Sequence, residues 1–138
     1  MKTKQKISTF LTFNGQAEAA MNFYAESIPG AEVTRAAPYG NDHPMVKAGD
    51  ETRILHGAIS IGEQEILCLD MTQAYPAPEF NWATSILIAC ESETEFDTIF
   101  NALSKDGKVM MGPEAVGEIR KCAWVVDQFG VTWQPIWT

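Results

Sequence analysis

Residues 52–70 read TRILHGAISIGEQEILCLD. Two apolar, β-branched runs, residues 52–61 and 65–70, flank Gly62-Glu63-Gln64, and that pattern predicts a β-hairpin. Upstream, residues 31–37 form a short strand pattern, parted from the hairpin by the polar loop PYGNDHPMVKAGDE. Before it, QAEAAMNFYAESI sets Ala17, Ala20, Met21, Tyr24 and Ile28 at helical spacing and stops at Pro29-Gly30. Residues 7–13 (ISTFLTF) end at Asn14-Gly15 and read as a strand. The order is β-α-β-β-β.

Downstream of the hairpin, residues 72–82 (TQAYPAPEFNW) carry two prolines and no periodicity, as a linker does. The same order then returns. Residues 83–90 are strand-like, and Ser92 with Glu95 forms a capping box. Phe96, Ile99, Phe100 and Leu103 make a helical stripe that stops at Asp106-Gly107. A short strand at 109–111 follows, and residues 120–127 and 131–136 surround Gln128-Phe129-Gly130 as a second hairpin. A shift of 76 residues lays Phe10, Leu11 and Thr12 on Ile86, Leu87 and Ile88. It also lays Ala20, Phe23, Tyr24 and Ser27 on Phe96, Ile99, Phe100 and Leu103. The expected architecture is α+β, a single domain over residues 1–138 made of module 1 (about 7–71), a linker (72–82) and module 2 (about 83–137). The hairpins imply antiparallel pairing.

With 46% hydrophobic and 20% charged residues, the 138-residue chain has the composition of one globular domain rather than of a disordered or fibrous protein. Eighteen acidic against ten basic side chains give a net charge of -8, which repels phosphate backbones and anionic lipid and so argues against nucleic-acid and membrane partners. The basic start MKTKQK and the pair Arg120-Lys121 are too sparse for a nucleic-acid patch. The apolar run after that start is too short and polar for a signal peptide, and no run reaches the ~18 apolar residues of a membrane span. Cys68, Cys90 and Cys122 are odd in number and lack a CxxC spacing, as reduced thiols of a cytoplasmic protein do.

The blocks TFLTFNGQAEAAMNFYAESIPGAEV, RILHGAISIGEQEILCLD and DQFGVTWQ, in that order, resemble the PhnB-like branch of the vicinal oxygen chelate superfamily, which includes glyoxalase I and the bleomycin and fosfomycin resistance proteins. The resemblance runs from Ile7 to Ile136. It implies two βαβββ modules whose curled mixed or antiparallel sheets form a cup, the glyoxalase/bleomycin resistance fold, usually in a homodimer. The branch also carries the label 3-demethylubiquinone 3-methyltransferase. The sequence offers that label no donor-binding loop, because Asn14-Gly15-Gln16 is the single glycine-bearing turn between a strand and a helix.

Metal-dependent members hold a divalent ion with His and Glu side chains on the cup-lining strands. Transferred to this chain, those positions fall near Thr9, near Ser85, on Gln134 and, when a fourth is used, near Cys68. Hydroxyls and a neutral amide suit Zn²⁺, Ni²⁺ or Mn²⁺ poorly, so no metal or other cofactor is expected. Thr9, Tyr39, His56, Cys68, Ser85 and Gln134 are the candidate ligand-binding residues.

His56 shares a strand face with Ile54, Ala58 and Ser60, and reads either as a general base or ligand anchor or as a structural histidine. His43 reads as a solvated turn residue. Parity puts Ile66, Cys68 and Asp70 on one face; Asp70 reads as a turn-capping carboxylate or a catalytic one, and Cys68 as an inert buried thiol or a pocket thiol. Thr132, Gln134 and Ile136 share a face, so Gln134 points to the cavity while Trp133 packs beneath a helix. Tyr39, Tyr75, Phe80 and Trp82 lie in loops that either shape a cavity rim or pack. Arg53 and Arg120 either bind an anion or sit solvated on strand edges. The expected function is binding of a small organic molecule without the usual metal. The alternatives are a metal-dependent lyase, isomerase or dioxygenase, and metal-free catalysis by His56 with Asp70 or Gln134.

Overall fold

A computed structural model describes residues 5–138 of the chain. Lys2 and Lys4 of the basic start lie outside the described residues. The elements run β1(Thr9–Phe13), α1(Ala17–Ser27), β2(Ala31–Pro38), β3(Ile54–Ile61), β4(Gln64–Asp70), β5(Ile86–Cys90), α2(Glu93–Ser104), β6(Lys108–Val116), β7(Ile119–Val126) and β8(Thr132–Trp137). They fall into two compact units that divide between Pro78 and Glu79. Each unit is βαβββ, and the fold is α+β with two four-stranded sheets.

In module 1 the strand order is β1-β4-β3-β2, with α1 packed against β2, β3 and β4. The spacing read from the sequence decides the buried face of α1: Ala17, Ala20, Met21 and Tyr24 are buried. Gly57 permits the close approach. A Cβ there would stand 2.8 Å from Met21 Cε and 2.9 Å from the Cys68 carbonyl. Module 2 repeats the plan as β5-β8-β7-β6, with α2 burying Phe96, Ile99 and Leu103. The linker lacks helix and strand, and its first part is tied to module 1. Asn14 Nδ2 donates to the Ala77 carbonyl at 2.9 Å, and Ala77 N–H donates to Asn14 Oδ1 at 2.7 Å.

Of the two sheet types expected, mixed and antiparallel, the sheets are mixed: β1 pairs parallel with β4 and β5 parallel with β8, while the hairpin partners are antiparallel. Hairpin signals report sequence neighbours only; the first strand of each module has no hairpin and closes onto the last strand after the helix crosses over. Two other sequence expectations change. The short strand expected at 109–111 is the nine-residue β6, which continues past Gly112-Pro113 through register shifts and turns at Gly117-Glu118 into β7.

The repeat shift also slips. It is 76 at the helix starts, Gln16 to Ser92, but 77 in the first strands, because β1 and α1 are joined by three residues and β5 and α2 by two. Buried Phe13 therefore matches buried Cys90, and Phe10, Leu11 and Thr12 fall on Leu87, Ile88 and Ala89. A one-residue slip turns every side chain to the opposite face.

Candidate functional site

The contact between Gly57 and Met21 marks which face of the module 1 sheet α1 covers. Gly57 pairs with Cys68 and Cys68 with Leu11, so Leu11, Phe13, Ile59, Ile66, Cys68 and Asp70 share that covered face. The helix-free face carries Phe10, Thr12, Leu67, Leu69, Ala58, Ser60 and His56.

This division sorts the expected site residues of module 1. His56 is exposed on the helix-free face, opposite Ala37. Cys68 is fully buried under α1, which corrects its placement as a ligand-facing thiol. Burial pushes that thiol up to about 12, with the Asp70 charge adding to the effect, so it stays protonated and inert. Asp70 is buried on the same covered face, which parts it from His56 and corrects its reading as a catalytic carboxylate. Its Oδ1 accepts from Gly15 N–H at 2.7 Å and Ala17 N–H at 3.0 Å, and its Oδ2 from Ile54 N–H at 2.9 Å. Thr9 has the parity of Leu11 and Phe13, so the side chain that reaches the helix-free face is its neighbour, Ser8. The residue slip explains that correction, since Ser85 corresponds to Ser8 at the strand shift.

The loop candidates of module 1 are also committed within the fold. Tyr39 O–H donates to the Asp70 carbonyl at 2.6 Å, and its ring meets His43 edge-on at 4.9 Å. Burial, then the charges of Asp70 and Asp50, raise the Tyr39 phenol, while Arg53 opposes them. Arg53 is no free anion site: Nη1 donates to the Met71 carbonyl at 2.7 Å and Nε lies 3.4 Å from Asp50 Oδ1. Burial pushes the Asp50 carboxyl up, but hydrogen bonds from Gln73 and from Lys47 N–H, together with Arg53, outweigh it and leave the group below its ordinary value.

In module 2, Trp133 is fully buried, and its indole N–H donates to Asp127 Oδ2 at 2.8 Å. Its neighbour Gln134 therefore stands on the helix-free face. Gln134 Nε2 donates to Ser85 Oγ at 2.5 Å, so the fold brings these two expected site residues together. Leu87 pairs with Gln134 across β5 and β8 and is 55% exposed. The β7–β8 register, Val125↔Trp133 and Cys122↔Ile136, brings Trp124 opposite Gln134, and Met111 pairs with Trp124 across β6 and β7. Leu87, Gln134, Trp124 and Met111 thus form one row across all four strands. Trp82 meets Trp124 at 6.2 Å between ring centroids, and with Met110 and Met111 they line a depression of about 330 Å³. Trp124 and Met111 were not among the sequence candidates. Parity along residues 120–127, together with the hairpin expected around Gln128-Phe129-Gly130, would have pointed to Trp124. Arg120 lies 4.7 Å from the Trp137 ring.

Residues 5–136 match the profile of a family described as 3-demethylubiquinone-9 3-methyltransferase. The chain belongs to that family. Within the solved structures it is similar to a PhnB protein from Bacillus cereus, 33% identical over 97% of this chain and 100% of that one, with a TM-score of 0.81. A protein from Pseudomonas aeruginosa is 27% identical over 96% of this chain and 97% of that one, with a TM-score of 0.84. A glyoxalase/bleomycin resistance protein from Albidiferax ferrireducens, 12% identical over 97% and 99% of the two chains with a TM-score of 0.62, shares the fold. A comparison with curated proteins found no match. The chain therefore has the glyoxalase/bleomycin resistance fold.

The sequence resemblance to the vicinal oxygen chelate superfamily implies a divalent metal, and this chain offers poor ligands for one. Ser85 and Gln134 supply a hydroxyl and an amide that bond each other, and Thr9 has the parity of the covered face. Among the described residues no group of three or more His, Cys, Asp or Glu side chains is gathered to hold an ion.

Proposed function

We propose that this PhnB-like protein binds a small organic molecule, without the usual divalent metal, on the helix-free face of module 2. The row Leu87, Gln134, Trp124 and Met111 carries this reading. It sets an amide among aromatic, thioether and aliphatic side chains, and its Trp124 and Met111 line the depression together with Trp82 and Met110. Such a surface takes a flat apolar body, and the amide fixes its orientation by one polar edge. The net charge of -8 favours ligands that are neutral or cationic. The family description names a methyl transfer. The strand-to-helix turns here, Asn14-Gly15-Gln16 and Glu91-Ser92, lack a glycine-rich donor loop, which supports binding rather than transfer.

The test is quenching of tryptophan fluorescence by a panel of planar aromatic molecules. Saturable quenching that Trp124→Ala weakens by about tenfold, the loss of one stacked aromatic contact, supports the proposal. No saturable ligand, or full affinity in Trp124→Ala, sinks it. Stoichiometric Zn²⁺, Ni²⁺ or Mn²⁺ retained after reconstitution would overturn the metal-free part.

The same reading includes a cytoplasmic homodimer. The sheet edge in module 2 supports the dimer: β6 is an edge strand of nine residues with Val109, Met110 and Val116 exposed. Light scattering is expected to give twice the chain mass of 15.2 kDa, and a monomer at micromolar concentration removes this part.

A further inference from the structure

A second row of side chains, on the helix-free face of module 1, has no part in the site above. Extending the β1–β4 register by one residue from Thr9↔Ile66 sets Ser8 beside Glu65; Glu65 pairs with Ser60, and Ser60 with Glu32. Glu65 is 6% exposed and Ser60 7%. Ser8 Oγ and Glu65 Oε1 are both closed off from solvent, and neither has a hydrogen-bond partner among the described residues. The backbone of Glu65 is held in place. Its N–H donates to Gln5 Oε1 at 3.0 Å, and its carbonyl accepts from Gln5 Nε2 at 3.3 Å.

A buried carboxylate oxygen without a donor weakens folding, because the desolvation of the charge is not compensated. A leucine would serve this position better if packing were its only role, as it does at Leu67 two residues on. The row holds two carboxylates and two hydroxyls and no cation. Arg35 stands in the next row, opposite Ala58, and makes no ion pair with either carboxylate among the described residues. Acceptors spaced across neighbouring strands, about 4.8 Å apart, suit a compact group with several N–H donors and a positive charge. Phe10, 43% exposed and paired with Leu67 in the adjoining row, supplies an apolar and aromatic wall beside them.

We propose that Ser8, Glu65 and Ser60 form an anchoring site for the primary ammonium group of a small organic cation. The site lies in module 1 and goes beyond the module 2 reading, so either stands if the other fails.

The probes are phenethylammonium and benzyltrimethylammonium, cations of one charge and similar size of which only the first has N–H donors, titrated into the full chain at constant ionic strength. Phenethylammonium is expected to bind about tenfold tighter than benzyltrimethylammonium, and Glu65→Gln to remove that preference. Glu65→Leu is expected to abolish binding and to unfold at the same temperature as the natural protein or higher, since a buried oxygen without a donor is lost. Glu18→Gln, which removes an exposed carboxylate on α1, is expected to leave phenethylammonium affinity within about twofold. Equal affinity for the two cations, retained preference in Glu65→Gln, a lower unfolding temperature in Glu65→Leu, or loss of binding in Glu18→Gln would each overturn the proposal.

Discussion

Both helices open just after a strand that pairs in parallel with the last strand of its sheet, yet their first turns are secured by different means. In module 2 the device is local. Ser92 is the N-cap of α2, and its Oγ accepts from Glu95 N–H at 3.1 Å. In module 1 Gln16 makes no side-chain cap, and the acceptor is Asp70 at the end of β4. One carboxylate there binds the turn before α1, the first turn of α1 and the start of β3. Module 2 places its buried carboxylate elsewhere: Asp127 accepts from Phe129, from Val131 and from the Trp133 indole, all within its own hairpin. The buried Asp70 thus ties distant segments of module 1, whereas Asp127 ties a single hairpin of module 2. The helix-free faces diverge as well, with acceptors buried in module 1 and aromatic and thioether groups presented in module 2.

The difference is open to direct tests. Asp70→Ala leaves three N–H groups without their acceptor, those of Ala17 and Ile54 buried and that of Gly15 in the turn before α1, and a loss of about 3–5 kcal/mol on urea unfolding is expected. A loss below about 1 kcal/mol would show that module 1 does not depend on this tie. Trp133→Phe removes one indole bond to Asp127 and some buried volume, for an expected loss of about 2–3 kcal/mol by the same measurement. If it equals Asp70→Ala, the two modules are tied equally strongly and the contrast fails. Ser92→Ala removes one exposed local cap, and about 1 kcal/mol is expected, the usual value for such a cap.

The smallest expected effect is on the alkaline side. The folded Cys68 thiol is raised from 9.0 to about 12, so the unfolded chain releases its proton first and stability falls as pH climbs through that window. Near pH 9 the loss from this thiol is about 0.4 kcal/mol relative to neutrality, and Cys68→Ala is expected to lack it. An unchanged pH slope in Cys68→Ala would assign the effect to other groups.

The helical stripes of α1 and α2, the Ser92 cap and the Gly62 hairpin were legible because each depends on residues a few positions apart. So was the parity that separates Gln134 from Trp133. The parallel β1–β4 and β5–β8 pairs were not, since no local signal joins strands more than forty residues apart. Thr9 was misplaced for a related reason: a connection one residue shorter turns the first strand over, and identity between the modules is too low to reveal it. Trp124 and Glu65 went unnoticed because each acquires meaning only from strands laid beside it.

The sequence by itself determined the element order, the twofold repeat, the buried faces of the helices and an acidic surface, since periodicity, caps and turns act over short spans of chain. Only the tertiary structure decided that Asp70 is a scaffold tie, that Cys68 lies beneath α1, and which side chains stand in rows across the helix-free faces. Those outcomes depend on register between distant strands, and a register is set by packing over the whole sheet.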